Sequence, residues 1–152
     1  MTELKEGDQA PEIALPDDAG GEFRLSTHRG KTVVVYFYPK SDTPGCTTEA
    51  CEFRDEAAAF LKKDAVIVGI SPDKVSAQAK FKTKYGLPFT LLADENHQAA
   101  EAYGVWKEKS MYGKKYMGVE RTTFVIGPDG RIARIFGKVK PKGHAAEVLS
   151  AV

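Results

Sequence analysis

Two apolar runs constrain this chain more than any other feature: Thr32–Tyr38 (TVVVYFY) and Ala65–Ile70 (AVIVGI). Both are β-branched and aromatic, neither alternates with polar residues, and each is too short for a helix or a membrane span. Such runs are strands buried on both faces, which places them inside a sheet with cover on each side. Between them, Cys46, Phe53, Ala57, Phe60 and Leu61 recur at helical spacing, against polar Glu49, Glu52, Arg54, Asp55, Lys62 and Lys63. The predicted helix over 46–63 therefore connects two central strands as a crossover.

The flanking segments extend this pattern. Glu12–Leu15 and Glu22–Leu25 are predicted strands joined by Pro16-Asp17-Asp18-Ala19-Gly20-Gly21, which has hairpin chemistry. A helix over Val75–Tyr85 ends at Gly86, a strand spans Thr90–Ala93, and a helix over Asn96–Tyr103 stops at Gly104. Thr122–Ile126 and Ile132–Phe136 flank Gly127-Pro128-Asp129-Gly130 and form a second hairpin, and Lys142–Val152 closes the chain as an amphipathic helix. The order predicts an α/β fold: a central, mostly parallel mixed sheet with helices on both faces and an N-terminal β-hairpin. With no repeat, low-complexity stretch or long linker, residues 1–152 read as a single domain.

Charge and composition exclude several classes of function. Twenty-two basic against 21 acidic residues leave a net charge of +1, so no overall field recruits nucleic acid or an anionic membrane. Lys107, Lys109, Lys114 and Lys115, interleaved with Tyr112 and Tyr116, are the best nucleic-acid candidate, yet they read more naturally as a solvated loop. The acidic, polar MTELKEGDQAPE start has no secretory signal character, so a cytoplasmic location is expected. The three histidines, His28, His97 and His144, stand apart in sequence and are expected to be solvated or capping groups. With a C-x4-C pair they make an unconvincing zinc site.

The two cysteines, Cys46 and Cys51, are where chemistry is expected. A chain of this length needs no disulfide to fold, and a paired cysteine in a reducing compartment points to catalysis, redox sensing or metal binding. Pro39–Gly45 breaks the strand before Cys46, leaving the cysteine at a helix N-terminus, where free backbone N–H groups and the helix dipole favour a thiolate. Such strand-to-helix turns are where α/β sheets gather reactive groups. Cys51 is five residues further on. In an intact helix that separation is a rotation of about 140° and a rise of about 7.5 Å, so the Cα atoms lie roughly 8–9 Å apart. A disulfide normally needs less than about 7 Å, so the pair can bond only if the first turns unwind.

Pro39-Lys40-Ser41-Asp42-Thr43-Pro44-Gly45-Cys46 matches the Pro-x-x-x-Thr-x-x-Cys motif of peroxiredoxins, and TPGCTTEAC resembles the bacterioferritin comigratory protein, or PrxQ, branch. The resemblance continues through GDQAPEIALPD, Gly69–Asp73 (GISPD), Leu91–Asp94, Tyr103-Gly104-Val105-Trp106 and Arg121–Phe124, covering essentially the whole chain. It implies a thioredoxin-like fold and reduction of hydrogen peroxide or organic hydroperoxides without metal, haem or flavin. Cys46 would be the peroxidatic and Cys51 the resolving cysteine, with the Cys46–Cys51 disulfide recycled by thioredoxin or glutaredoxin. Thr43 would hydrogen-bond peroxide and thiolate, Pro39 would shield Cys46 from water, and Arg121 would be the active-site guanidinium. Arg121, the Thr43 hydroxyl and the Cys46 N–H could stabilise the charge that develops on the leaving oxygen. Arginine suits this task because its planar fork can contact sulfur and oxygen together. Glu49 would orient Arg121 or Thr43 from behind. Tyr36-Phe37-Tyr38 is core first, with one face of Phe37 or Tyr38 available to wall the peroxide pocket. A monomer is expected for this branch. A redox sensor that relays its disulfide to a partner would use the same cysteines, whereas a thioredoxin-like holdase would need neither.

Overall fold

The computed structural model describes residues 4–152. β1 (Ala14–Pro16) and β2 (Glu22–Arg24) form the N-terminal hairpin, and a 3-10 turn over Leu25–His28 ends it one residue sooner than the sequence reading. Then follow β3 (Thr32–Phe37), α1 (Pro44–Lys62), β4 (Ala65–Ser71), α2 (Val75–Tyr85), β5 (Thr90–Ala93) and α3 (Gln98–Ala102). β6 (Trp106–Met111), β7 (Lys114–Val119), β8 (Thr122–Ile126), β9 (Ile132–Phe136) and α4 (His144–Ser150) complete the chain. The central sheet has the order β5-β4-β3-β8-β9. β3 runs parallel to β4 and β4 to β5, while β8 is antiparallel to both β3 and β9. This is a thioredoxin-like fold.

The pleat of β3 sorts the core into two layers. Val33, Val35 and Phe37 face the N-terminal hairpin and the α3 segment, packing with Leu15, Phe23, Ala99 and Tyr103. Val34, Tyr36 and Tyr38 face α1, α2 and α4, packing with Phe53, Phe60, Phe81 and Val148. Both faces are thus covered, which is why the strand sequences carry no alternation. Gly69 lies opposite Tyr36 in the register, and a Cβ there would come within 2.9 Å of the Tyr36 ring and of Leu91. Its lack of a side chain lets the Tyr36 ring stack on Phe53 at 4.7 Å, fixing α1 against the sheet.

The helix boundaries shift for identifiable reasons. α1 begins at Pro44, two residues before the sequence reading, because proline is well suited to a first helical position. α3 begins only after His97, whose left-handed backbone (φ 59°) blocks an earlier start, and Asp94 caps it by accepting from the Ala99 and Ala100 N–H groups. Gly143, at φ 83°, likewise delays α4 to His144.

One expectation fails outright. Residues 106–119 are not a solvated loop but the antiparallel hairpin β6–β7, turning through Tyr112 and Gly113 at φ 53° and 79°. Positive φ at both central residues is the geometry of the tight turn preferred between twisted strands. The hairpin stands as a separate two-stranded sheet, with Tyr112 at its tip 99% exposed. Polar residues on both faces gave it no strand-like alternation.

Candidate active site

The site forms where β3 ends and α1 begins. Pro39 and Thr43, both half-buried, lie in the turn between them. Thr43 is the residue preceding α1, and its carbonyl accepts the Thr47 N–H at 2.8 Å. Pro44 has no N–H, so Gly45 and Cys46 present the first unpaired backbone donors of the helix. Cys46, the third residue of α1, is only 1% exposed and belongs to the same core layer as Tyr36, Tyr38, Ala50 and Phe53.

Arg121 approaches from the segment between β7 and β8. Its Nη2 donates to Cys46 Sγ at 3.3 Å and its Nη1 to Glu49 Oε1 at 2.6 Å. Glu49 lies one helical turn beyond Cys46 on the inner face of α1, fully buried, with its second oxygen, Oε2, unpartnered. Burial pushes the Glu49 carboxyl up to about 7, outweighing the Arg121 ion pair and hydrogen bond that pull it down. For Arg121, burial opposes the charge, yet Glu49 and Cys46 more than compensate and its pKa lies above the usual arginine value. The Arg121 carbonyl accepts the Val139 N–H, which ties the 137–143 loop to the site.

The expected residues therefore do not all meet in the same way. Cys46, Arg121 and Glu49 form one connected contact, with Glu49 bonded to Arg121 rather than to Thr43. The Thr43 hydroxyl instead donates to the Lys40 carbonyl at 2.8 Å. Cys51 is half-buried further along the unbroken α1, and both thiols are free. Tyr38 is on the Cys46 side of the sheet, its hydroxyl donating to Gln78 at 2.6 Å, whereas Phe37 packs in the opposite core layer.

Two features escaped the sequence reading. Gly45 makes room for Arg121: a Cβ there would lie 3.2 Å from Nη2 and 3.5 Å from Pro141 Cγ. A glycine just inside a helix carries no sequence signal beyond its place in the motif. His144 is not a solvated histidine, being only 3% exposed. Its ring bonds Thr123 at 2.7 Å and Glu147 at 3.0 Å and meets Phe53 and Phe136 edge-on. Its burial follows from α4 packing onto α1, a tertiary contact that a lone histidine does not announce.

Chemically, the arrangement offers a buried free thiol, a guanidinium beside it and two backbone donors at the start of a helix. On a thioredoxin-like frame, that is the equipment of a thiol-dependent peroxidase. The AhpC/TSA family pattern matches residues 6–135. Over 146 residues the chain is 51% identical to peroxiredoxin Bcp of Bacillus subtilis, covering 96% of this chain and 93% of that protein. It is 45% identical over 150 residues to peroxiredoxin Bcp of Escherichia coli, covering 99% and 96%. A cysteine-to-serine mutant of Xylella fastidiosa PrxQ superposes with a TM-score of 0.93 at 36% identity, over 99% of this chain and 96% of that one. A Xanthomonas campestris peroxiredoxin Q mutant gives 0.88 at 42% identity, over 91% and 88%. The chain belongs to the AhpC/TSA family of peroxiredoxins, with relatives of the Bcp/PrxQ kind, and is a peroxide-reducing oxidoreductase.

Proposed function

We propose that the enzyme reduces hydrogen peroxide and organic hydroperoxides through Cys46, resolves the product with Cys51, and is recycled by a dithiol protein such as thioredoxin. The observation that carries this reading is the 3.3 Å contact of Arg121 with Cys46 Sγ at the N-terminus of α1. The Cys46 thiolate gives an electron pair to one peroxide oxygen, the O–O bond breaks, and the other oxygen leaves as an alkoxide or hydroxide that takes a proton from solvent. Arg121 and the free N–H groups of the first helical turn stabilise that departing charge. Pro39 closes the turn over Cys46 against water, and Thr43 aligns the peroxide once its hydroxyl leaves the Lys40 carbonyl.

Cys46 is then a sulfenic acid. The Cys51 sulfur attacks it, a Cys46–Cys51 disulfide forms and water leaves; an external dithiol returns two electrons and two protons. Because α1 holds both cysteines in one helix, this step requires its first turns to unwind. The segment that opens carries Arg121's contacts with Cys46 and Glu49. Phe53, fully buried against Tyr36 and Phe60, is the natural limit of unwinding. Peroxide consumption with a thioredoxin system by the parent, Cys46→Ser and Cys51→Ser proteins tests the reading. Cys46→Ser should be inactive, and Cys51→Ser should react once and recycle poorly. An undiminished rate in Cys46→Ser overturns it.

A further inference from the structure

Tyr85, the last residue of α2, is bonded to both sides of the segment that carries the two cysteines. α2 ends there because Gly86 takes up a left-handed backbone (φ 60°), which leaves the last carbonyls of the helix without intrahelical partners. Arg54 Nη1 donates to the Tyr85 carbonyl at 2.8 Å, and the half-buried Tyr85 ring packs edge-on against Phe81 at 5.5 Å. Arg54 follows Phe53, which is anchored in the core, so Tyr85 is a post that does not depend on the first turns of α1. From this post the Tyr85 hydroxyl donates to Asp42 Oδ1 at 2.8 Å, and Lys84 Nζ donates to Asp42 Oδ2 at 2.8 Å.

Asp42 is the residue that needs holding. Its φ is 58°, a left-handed conformation that a residue with a side chain adopts only at a cost. One residue upstream, the Ser41 N–H donates to Asp73 Oδ2 at 2.7 Å; one residue downstream, the Thr43 carbonyl accepts the Thr47 N–H at 2.8 Å. Asp42 is thus the joint between a chain fixed to the turn before α2 and the first turn of α1. An exposed ion pair alone adds little stability. Here two adjacent residues of a separate helix grip one carboxylate and offset the strain at the joint. Unwinding of the first turns frees Thr43 from Thr47 and lets Asp42 relax, at the expense of both bonds.

Building on the opening of α1 proposed above, we infer that Tyr85 is a positioning residue of the site: with Lys84 it latches Asp42, holds the turn before Cys46 closed, and sets how often the Cys46–Cys51 segment opens. The latch touches neither sulfur. It acts on a competition for the Cys46 sulfenic acid. In the closed site, beside Arg121, that sulfur takes an oxygen from a second peroxide, whose O–O bond breaks as water or an alcohol leaves, and a sulfinate results. In the opened segment Cys51 reaches the same sulfur, water leaves and the disulfide forms. The latch biases the protein toward the closed side of that competition.

Hydrogen exchange of the amides of residues 45–51 in the reduced protein reads the latch without peroxide, and so stands apart from the test of the peroxidase reading. Tyr85→Phe keeps the ring on Phe81 and the carbonyl for Arg54. Exchange in that segment should quicken about fivefold, as expected for one lost hydrogen bond to a charged acceptor, while α2 exchange and circular dichroism stay like the parent's. At excess peroxide the ratio of sulfinate to disulfide, read by peptide mass mapping, should fall by a similar factor. Asp42→Asn keeps a residue tolerant of positive φ but removes the Lys84 ion pair; it should move both readouts the same way, and it carries the test if Tyr85→Phe does not fold. Exchange that matches the parent's in both variants overturns the inference, and so does faster exchange with an unchanged ratio. Faster exchange with no Cys46–Cys51 disulfide in any of the proteins supports the latch and refutes resolution by Cys51 instead.

Discussion

Arg121 Nη2 stands 3.3 Å from Cys46 Sγ, and the same guanidinium is held at 2.6 Å by a carboxylate from the helix that carries the cysteine. Cys46 and Glu49 both lie on the first two turns of α1, and Arg121 reaches both from the segment before β8. Anything that releases Arg121 from Glu49 also loosens the donor beside Cys46 Sγ, and unwinding of α1 breaks both contacts together. In the proposed cycle, competence to attack peroxide is therefore tied to the folded state of a short stretch of helix.

Glu49 makes this link pH-dependent. Burial raises its carboxyl to about 7 from an ordinary value of 4.5, so the folded state binds this proton more tightly than the unfolded chain. Its contribution to stability is full below about pH 4.5 and declines as pH rises through about 7. Urea unfolding between pH 4.5 and 8 should show this downward component, and Glu49→Gln should remove it. Glu49→Gln should also slow peroxide reduction about tenfold or more, since Arg121 loses its charged anchor. A stability profile unchanged by the substitution would contradict the assignment.

Gly45 should separate stability from activity. Alanine is the better residue within a helix by about 0.5–1 kcal/mol, so Gly45→Ala should not destabilise the fold. Its methyl would lie 3.2 Å from Arg121 Nη2, which must move away from Cys46. Thermal unfolding together with the rate of peroxide reduction checks this: an equal or higher Tm with a rate several-fold lower is expected. Unchanged activity would mean that Arg121 can shift at no cost to the chemistry.

Thr123 and His144 form a structural counterpart to the site. The bond from Thr123 Oγ1 to His144 Nε2 at 2.7 Å is buried and joins β8 to α4. Thr123→Val should cost about 1–3 kcal/mol of stability by leaving a ring nitrogen without its partner. Burial, against the pull of Glu147, lowers the His144 pKa from 6.5. Its stabilising contribution is therefore present above about pH 6.5 and is lost as pH falls through its lower folded value, opposite in sense to that of Glu49. Denaturant unfolding of Thr123→Val at pH 8 measures the cost, and a difference below about 0.5 kcal/mol would show that the bond is dispensable.

The parts of this molecule that can be read in its sequence are those with local signals. Thr32–Tyr38 and Ala65–Ile70 declare central strands by β-branched runs, Gly86 and Gly104 mark where helical segments end, and the Pro39–Cys46 motif places the cysteine at the strand-to-helix turn. Arg121 is legible only through the resemblance of its strand segment, because nothing near it in sequence mentions Cys46. The β6–β7 hairpin is not legible: Lys107–Lys109 and Lys114–Tyr116 are solvated on most sides, so burial never imposes alternation. His144 and Gly45 share a further difficulty. Each acquires its meaning from a residue on another segment, Thr123 and Arg121 respectively, and no spacing along the chain encodes such a meeting.

In the proposed cycle, Cys46 is resolved only when the start of α1 opens to let Cys51 reach it. Peptide mass mapping of the protein after one equivalent of peroxide tests this most directly. The segment spanning Cys46 and Cys51 should lose two hydrogens, and both thiols should resist alkylation until reduced. A stable sulfinate at Cys46 with Cys51 still a free thiol would contradict it.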